Sequence, residues 1–215
     1  MALKKGDFVE LEYTGRIKDT GQAFDTTDKQ VAESEGFADE NQAYGPVIIC
    51  LGSNQLLAGL NKKLIGVEPE KEYDFELSQE EAFGKKDVKL LKLISTAKFR
   101  KQGMNPVPGM RVNIDGMVGT IKTITGGRTI VDFNHLLAGR DLNYKVKIKR
   151  IVTNAEEKLK GMLKIELYEN SADVKLTGDK AIVNLKADIP AEILAEFAKK
   201  AKELIPELKQ IEFKK

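Results

Sequence analysis

The amino-acid sequence changes character at two points, at Lys85 and after Thr153, and these changes divide it into three blocks. Residues 1–84 carry 8 Lys or Arg and 17 Asp or Glu, whereas residues 85–153 carry 15 and 4. Residues 154–215 carry 12 of each kind. A chain of 215 residues can form one large domain or two to three small ones. The three blocks therefore have net charges of −9, +11 and 0.

The opposite charges of the first two blocks have two interpretations. The acidic and basic blocks can attract each other within one fold, or the basic block can present a face to nucleic acid. Residues 28–45 read as an acidic loop with a net charge of −4. Because this loop cannot neutralise an excess of 11 positive charges, we expect much of the basic charge to face solvent.

The composition excludes several classes of protein. Apolar residues make up 41% of the chain, which is enough for real cores. No run of 18 apolar residues exists, so we expect no membrane-spanning helix. The N-terminal segment has no apolar stretch long enough for a signal peptide, and the single Cys50 excludes an internal disulfide. We therefore expect a cytoplasmic protein with no membrane partner.

The residues that common enzyme mechanisms need are scarce. One His and one Cys cannot make a metal cluster or a convincing Cys–His pair. Gly126-Gly127 lacks the Lys-Ser/Thr of a phosphate loop, and no G-x-S-x-G motif occurs. We expect no metal and no cofactor. A reaction that requires neither a nucleophile nor a proton transfer would fit this composition.

Hydrophobic periodicity predicts the elements of the first block. Residues 7–17 alternate apolar and polar side chains, which is typical of a half-buried strand. The same argument predicts strands at 22–27, 47–51 and 71–77. A helix with an apolar face is predicted between them, ending at Gly66 and carrying Leu56, Leu57, Leu60 and Leu64.

The second and third blocks also alternate between strands and breaks. In the second block we predict strands at 88–94, 110–114, 117–124 and 128–133, the last two joined by a hairpin turn at Thr125-Gly126-Gly127. The alternation at Tyr144–Val152 fits a strand that returns to the first unit. In the third block we predict strands at 163–168 and 181–187, a helix capped by Asp188, and a last strand at 211–213.

Three short segments resemble parts of a known family. Glu12-Tyr13-Thr14-Gly15 and Phe24-Asp25-Thr26-Thr27 resemble the start of an FKBP-type peptidyl-prolyl cis/trans isomerase. Asn134-His135-Leu136-Leu137-Ala138-Gly139 resembles the re-entry point of the SlyD-type subfamily, in which a second domain is inserted in the flap. The resemblance covers about the first 150 residues, and the remainder resembles the C-terminal region of long archaeal members.

The resemblance implies an α+β fold with three domains. Residues 1–85 and 137–153 would form an FKBP-type antiparallel half-barrel sheet with a short helix. Residues 86–136 would form a β-rich insert-in-flap chaperone domain, and residues 154–215 a small α+β C-terminal domain.

The resemblance also implies an apolar catalytic pocket for a prolyl peptide. Its walls would be Tyr13, Phe24, Asp25, Leu56, Leu57, Leu60, Phe83 and Tyr144, with Val47, His135 and Leu137 at the rim. Leu60 stands where many members carry Trp, and Phe83 stands where a Tyr donates a hydrogen bond to the substrate. The simpler interpretation of Tyr13, Phe24 and Tyr144 is core packing, but Asp25 beside Phe24 in a strand disfavours it.

The implied function is prolyl isomerisation combined with chaperone activity. A chaperone surface on the insert would include Leu90, Leu91, Met104, Val107 and Met110, although these side chains can instead fill the insert's own core. The expected partners are unfolded or proline-containing polypeptides, with contact to the ribosome and homodimerisation through residues 154–215 as further expectations. Two alternatives remain open: a holdase with a degenerate pocket, and a ribosome-associated binding adaptor.

Overall fold

A computed structural model describes residues 2–40 and 42–214. Met1 and Lys215, at the outer ends of the first and last predicted domains, lie outside the described residues, as does Asn41 within the predicted acidic loop. The described strands are, in chain order, β1 Phe8–Ile17, β2 Ala23–Thr26, β3 Val47–Cys50, β4 Glu72–Leu77, β5 Leu91–Ser95, β6 Arg111–Ile114, β7 Met117–Thr125, β8 Arg128–Asp132, β9 Leu142–Val152, β10 Asp173–Thr177, β11 Lys180–Asn184 and β12 Gln210–Lys214. The described α-helices are α1 Lys29–Ser34, α2 Ala58–Leu64, α3 Thr96–Lys101, α4 Ala155–Glu166 and α5 Ala191–Leu204.

The first sheet is built around the pairing of β1 with β9. Its strands run in the order β2-β1-β9-β4, with β3 also paired to β1, and every pairing is antiparallel. The β1–β9 register runs from Phe8 opposite Val152 to Ile17 opposite Leu142. The chain therefore returns to the first sheet after the insert, as the alternation at Tyr144–Val152 predicts. Leu60 and Leu64 of α2 pack into the core of this sheet.

The insert forms an antiparallel sheet of its own, in the order β5-β8-β7-β6. Its buried core contains Phe99, Val112, Ile121 and Val131. The predicted hairpin joins β7 to β8, where Gly126 and Gly127 both have positive φ angles, 57° and 76°. Two successive residues with positive φ are what a tight hairpin turn with the right-handed strand twist needs. The α+β class and the antiparallel sheets confirm the predicted fold class.

The positive charge of the insert faces solvent. Of its nine Lys and Arg residues, only Lys86 forms a salt bridge with another described residue, at 3.0 Å from Asp132. The other eight are exposed: Lys89, Lys92, Lys98, Arg100, Lys101, Arg111, Lys122 and Arg128. Contact between this surface and the ribosome stays a prediction.

The C-terminal unit packs against the first sheet and shares a core with it. Phe8, Cys50 and Val152 from the first unit lie in one buried cluster with side chains from α4, α5, β10 and β11. Strands β10 and β11 form an antiparallel hairpin, and α5 then crosses over so that β12 lies parallel to β11. No helix of residues 2–40 and 42–214 combines the length and the hydropathy that crossing a membrane requires.

Several predicted details are wrong. The helix predicted to carry Leu56 and Leu57 begins only at Ala58, because the backbone at Leu57 is not helical, so both leucines lie in the loop before α2. The strand predicted at 163–168 is instead the last turn of α4, which ends at Glu166, and the two residues after it. Asn154 caps the start of this helix, and its side chain accepts from the backbone N–H groups of Glu156 and Glu157. The predicted acidic loop contains α1, capped by Asp28. Helix α5 begins after Pro190 with no side-chain cap at that position, rather than at Asp188. Strand β10 lies between the strands predicted at 163–168 and 181–187, where no strand is predicted; it forms by pairing with β11 despite its polar residues.

A glycine allows α4 to lie directly on β3. A Cβ atom added to Gly161 would lie 2.7 Å from Ile48 Cβ and 2.9 Å from the Ile48 carbonyl oxygen. Real Cβ atoms do not approach other atoms this closely. The contact between the C-terminal unit and the first sheet therefore depends on a residue without a side chain.

We predict that Gly161→Ala destabilises the protein. Alanine normally favours a helix over glycine by about 0.8–1 kcal/mol, but here the overpacking against Ile48 should outweigh that gain, for a net loss of about 1–3 kcal/mol. Urea unfolding measures the difference. Lys160→Ala, at the exposed neighbouring position, is the control and should change stability by less than about 0.5 kcal/mol. A gain of stability in Gly161→Ala would show that the helix is free to move.

Candidate active site

An aromatic cleft of about 370 Å³ lies on the first sheet beside α2. All eight predicted pocket residues line it, together with His135, Leu137 and one residue that was not predicted, Gln55; the eight are Tyr13, Phe24, Asp25, Leu56, Leu57, Leu60, Phe83 and Tyr144. Val47, predicted at the rim, is not among the lining residues. It pairs with Leu11 and packs against the core of the first unit instead. The catalytic and rim roles themselves stay predictions.

Gly15 explains how the strands bring these side chains together. It lies opposite Asp25 of β2 and opposite Tyr144 of β9. A Cβ atom on Gly15 would lie 2.8 Å from Phe24 Cζ and 2.9 Å from Tyr144 Cζ. The two rings therefore lie over the backbone of β1, and the glycine of the Tyr13-Thr14-Gly15 segment is required for space.

The aromatic rings form a connected wall. The Phe24 ring meets Tyr144 at a centroid distance of 5.9 Å and an angle of 86°, and meets Phe83 at 6.4 Å and 78°. Tyr13 and Tyr144 lie 6.0 Å apart. Edge-to-face contacts of this kind are the preferred geometry of aromatic pairs. They give the cleft apolar walls in fixed positions.

A single carboxyl group lies in this apolar wall. The Tyr13 hydroxyl donates to Asp25 Oδ2 at 3.1 Å. Burial raises the pKa of Asp25 above its ordinary value, although the hydrogen bonds from Tyr13 and from the Thr26 backbone act in the opposite direction. Burial, with the nearby Asp25, also raises the pKa of Tyr13, so its hydroxyl keeps its proton.

Tyr144 provides a second hydroxyl group in the cleft. Its pKa is raised by burial and by Asp25, so it is a neutral donor. No described residue forms a hydrogen bond with this hydroxyl, and no buried polar atom among the described residues lacks a partner. The Tyr144 hydroxyl is therefore open to the cleft and available to a ligand.

His135 stacks on Phe83 at the mouth of the cleft. The two rings are nearly parallel, with an interplanar angle of 10° and a centroid distance of 4.2 Å. The backbone N–H of Leu137 donates to His135 Nδ1 at 3.2 Å, which assigns the proton of the neutral ring to Nε2. The ring thus adds an N–H donor beside Phe83, which has no hydroxyl.

Gln55 is the lining residue that sequence reasoning missed. Its Oε1 accepts from the Cys50 backbone N–H at 2.8 Å, and its Nε2 donates to Glu166 Oε1 of α4 at 2.6 Å. The only sequence signal was its position directly before Leu56-Leu57, and glutamine at a helix entrance is most simply interpreted as a solvated residue. Its partner lies 111 positions away, beyond the reach of local patterns.

A groove of about 390 Å³ adjoins the cleft and leads onto the insert. It shares His135 with the cleft and is otherwise lined by Arg111, Val118, Gly119, Thr120, Asp132, Phe133, Asn134 and Leu136. Val118 and Leu136 are exposed by 53% and 63%. The apolar surface available to a bound polypeptide therefore extends from the cleft across the segment where the chain leaves the insert.

The predicted chaperone residues divide into two groups. Leu91 and Val107 are exposed, as that role requires. Leu90 is half-buried, and Met104 and Met110 pack against the insert's own core, so the core interpretation holds for these two methionines. Leu93, the most exposed hydrophobic side chain of β5 at 59%, adds to the exposed group.

A larger hollow of about 720 Å³ lies elsewhere on the first sheet, but its lining is charged. Glu72 and Lys145 line it and form a salt bridge with each other at 2.7 Å. Six of its twelve lining residues are Asp, Glu or Lys, against one of eleven, Asp25, in the aromatic cleft. The smaller aromatic cleft is therefore the stronger candidate for an apolar substrate.

Comparison with known proteins places two family matches on the chain. Residues 1–100 match the family described as FKBP-type peptidyl-prolyl cis-trans isomerase, and residues 92–137 match the family described as FKBP26, IF domain. The FKBP-type peptidyl-prolyl cis-trans isomerase SlyD of Yersinia pestis is 30% identical over 136 residues, which is 60% of this chain and 69% of that protein.

Two other relatives are similar over the same part. The short-type peptidyl-prolyl cis-trans isomerase of Methanocaldococcus jannaschii is 28% identical over 149 residues, 69% of this chain and 94% of that protein. The FKBP-type 16 kDa peptidyl-prolyl cis-trans isomerase of Escherichia coli is 30% identical over 110 residues, 49% of this chain and 74% of that protein.

We predict that Asp25 makes the stability of the protein depend on pH. Because the folded-state pKa of Asp25 is raised, ionisation is less favourable in the folded chain than in the unfolded chain. The stabilising contribution is present at acid pH and is lost as the pH rises through the raised pKa. Relative to Asp25→Asn, the wild type should lose unfolding free energy from about pH 4 upward. Urea unfolding of both proteins at matched pH tests this; a relative gain for the wild type would mean that the hydrogen bonds to Asp25 outweigh its burial.

Proposed function

Because the chain belongs to the FKBP-type peptidyl-prolyl cis-trans isomerase family, we propose that it rotates X-Pro bonds in the aromatic cleft while the insert holds the unfolded chain. The observation that carries the proposal is the cleft itself. The Phe24 ring meets the Tyr144 and Phe83 rings edge to face there. Asp25 and Leu60 of α2 line the same cleft.

An apolar cleft lowers the barrier to rotation by a physical route that needs no nucleophile. The barrier of about 18–20 kcal/mol comes from the partial double bond of the amide. Water stabilises the planar, charge-separated amide more than the twisted one, so transfer into a dry cleft favours the twisted form. A cleft whose shape fits the twisted form better than either planar form lowers the barrier further.

Two donors are available for the substrate carbonyl oxygens. The Tyr144 hydroxyl is neutral and unpaired, and His135 Nε2 carries a proton when its ring accepts from Leu137. We propose that they orient the peptide across the ring wall. The Tyr13–Asp25 pair holds a carboxyl group beside the prolyl ring, where it affects the polarity of the cleft without transferring a proton.

We predict that Asp25→Ala lowers kcat/KM for a short prolyl peptide about tenfold or more, equivalent to about 1.4 kcal/mol of transition-state stabilisation. The reason is that Tyr13 loses its acceptor and the cleft loses its only carboxyl group. Asp74→Ala, an exposed strand aspartate outside the cleft, is the matched control and should retain wild-type turnover. If Asp25→Ala lost activity only in proportion to lost folded protein, Asp25 would be a structural residue.

The open face of the insert sheet supports the chaperone part of the proposal. Leu91 and Leu93 of β5 are both exposed, and Leu93 lies opposite Ile130 of β8. A hollow of about 460 Å³ on this face is lined by Leu93, Thr123, Thr125, Gly126, Arg128 and Ile130. Strand β5 is the last strand of its sheet, so its outer edge is unpaired among the described strands. An extended client can add to such an edge by backbone hydrogen bonds.

We predict that Leu91→Asn combined with Leu93→Asn separates the two activities. Turnover of a tetrapeptide should stay within about twofold, because neither side chain lines the cleft. Catalysis of proline-limited refolding of an unfolded protein should fall about tenfold, equivalent to about 1.4 kcal/mol of lost client binding. Val88→Asn is the control, because Val88 is a highly exposed aliphatic residue outside the sheet. Equal losses on both substrates would contradict the division of labour.

The alternative of a pure holdase differs from this proposal in one measurable respect. A holdase with an inactive cleft would bind unfolded protein but show no turnover of a short prolyl peptide. Measuring that turnover in the wild type, before any variant, decides between the two. Homodimerisation through residues 154–215 stays a prediction.

A further inference from the structure

We propose that the C-terminal unit is part of the isomerase site, because Glu166 of α4 positions the loop that carries Leu56 and Leu57 into the cleft. The inference rests on the proposed role of the aromatic cleft. It assigns a function to a unit that lies beyond both family matches, which end at residues 100 and 137.

The loop between β3 and α2 is short, and one of its side chains, Gln55, joins it to α4. Residues 51–57 connect the two elements, and the backbone turns through positive φ angles at Gly52 and Asn54. Gln55 has both of its polar side-chain atoms engaged, with Oε1 on the backbone of Cys50 and Nε2 on Glu166. No side chain caps the start of α2, whose N-cap residue is Leu57. Asn61 Oδ1 accepts from the backbone N–H of Gly52 at the β3 end of the loop, whereas Gln55 joins the end beside Leu56 and Leu57 to the C-terminal unit.

Glu166 is held in turn by an ion pair with α5. Its second carboxylate oxygen pairs with Lys200 of α5 at 2.9 Å, and its side chain is only 17% exposed. A hydrogen bond to a charged, largely buried acceptor is stronger than one between neutral groups. Glu166 does not line the cleft, so it can affect the substrate only through Gln55.

The packing around Glu166 leaves little freedom for α4 to move. Gly161 lies in direct contact with Ile48 of β3, and Ile165 packs against the core of the first unit. The last residue of β3, the cleft loop and the last turn of α4 are therefore one connected structure. A shift of the C-terminal unit must change the position of Gln55, and with it the two leucines beside it.

The first experiment compares two glutamates of α4 in the full-length protein. Glu157 also links α4 to the first sheet, through Arg150 of β9 at 2.9 and 3.1 Å, but this link lies away from the cleft. We expect Glu166→Ala to lower kcat/KM for a prolyl tetrapeptide three- to tenfold, mainly through KM. Glu157→Ala should stay within twofold. Thermal unfolding of both variants measures the stability that each link contributes.

The second experiment tests the hydrogen bond itself by exchanging its partners. Gln55→Glu alone places two carboxylates against each other and should lower kcat/KM. Adding Glu166→Gln should restore it to within twofold, because the carboxylate at position 55 can then accept from the amide at 166 and from Cys50. Lys200 loses its ion pair with position 166 both in the exchanged pair and in Glu166→Ala, so the loss of that ion pair cannot account for a difference between them.

The outcomes separate this inference from the function on which it rests. If Asp25→Ala is impaired but Glu166→Ala turns over like the wild type, the coupling is refuted and the cleft assignment stands. Equal losses in Glu166→Ala and Glu157→Ala, or no rescue by the exchange, also refute it. If Asp25→Ala keeps full activity, the cleft assignment fails and the coupling fails with it.

Discussion

The ten-residue antiparallel pairing of β1 with β9 is the contact on which the rest of the structure depends. It joins segments that are more than 120 positions apart. The whole insert must therefore form a loop between the two strands when they pair. Closing so long a loop is entropically unfavourable, and the buried apolar side chains along both strands must offset that cost. The pairing also sets Tyr144 opposite Gly15, which creates the ring wall. The same pairing that closes the first sheet therefore also places Tyr144 in the cleft.

The cleft combines features that a stable core would avoid. A half-buried carboxyl group has a raised pKa, which means that the fold disfavours its charge. The Tyr144 hydroxyl has no hydrogen-bond partner among the described residues, and the His135 ring stacks on Phe83 at the mouth of the cleft. Such departures from local rules are expected where a protein binds a ligand. They identify the cleft more specifically than the presence of aromatic residues does, because aromatic residues alone are typical of any core.

The strands and the pocket residues could be predicted because their signals are local or carried by short motifs. Alternation located β1 and β9, and the Tyr13-Thr14-Gly15 and Phe24-Asp25 segments pointed to the side chains that meet over β1. The rest depends on distant contacts. Leu163 and Ile165 alternate with polar residues near the end of α4, a pattern that predicts a strand. Packing of α4 on β3 makes this segment helical instead. Met104 and Met110 face the core of the insert, and Gln55 is held by Glu166; no pattern within a few residues specifies either arrangement.

All three units of the chain contribute to the surroundings of one cleft. The first sheet supplies the ring wall, and the segment leaving the insert supplies His135 and opens into the groove beside it. The C-terminal unit reaches the cleft through Glu166 and Gln55, next to Leu56 and Leu57. A polypeptide held by the insert would therefore approach the cleft from the His135 side, while the C-terminal unit restrains the leucine side. Because these contacts act on different walls, a change in the insert should alter access to the cleft, and a change in α4 should alter its shape.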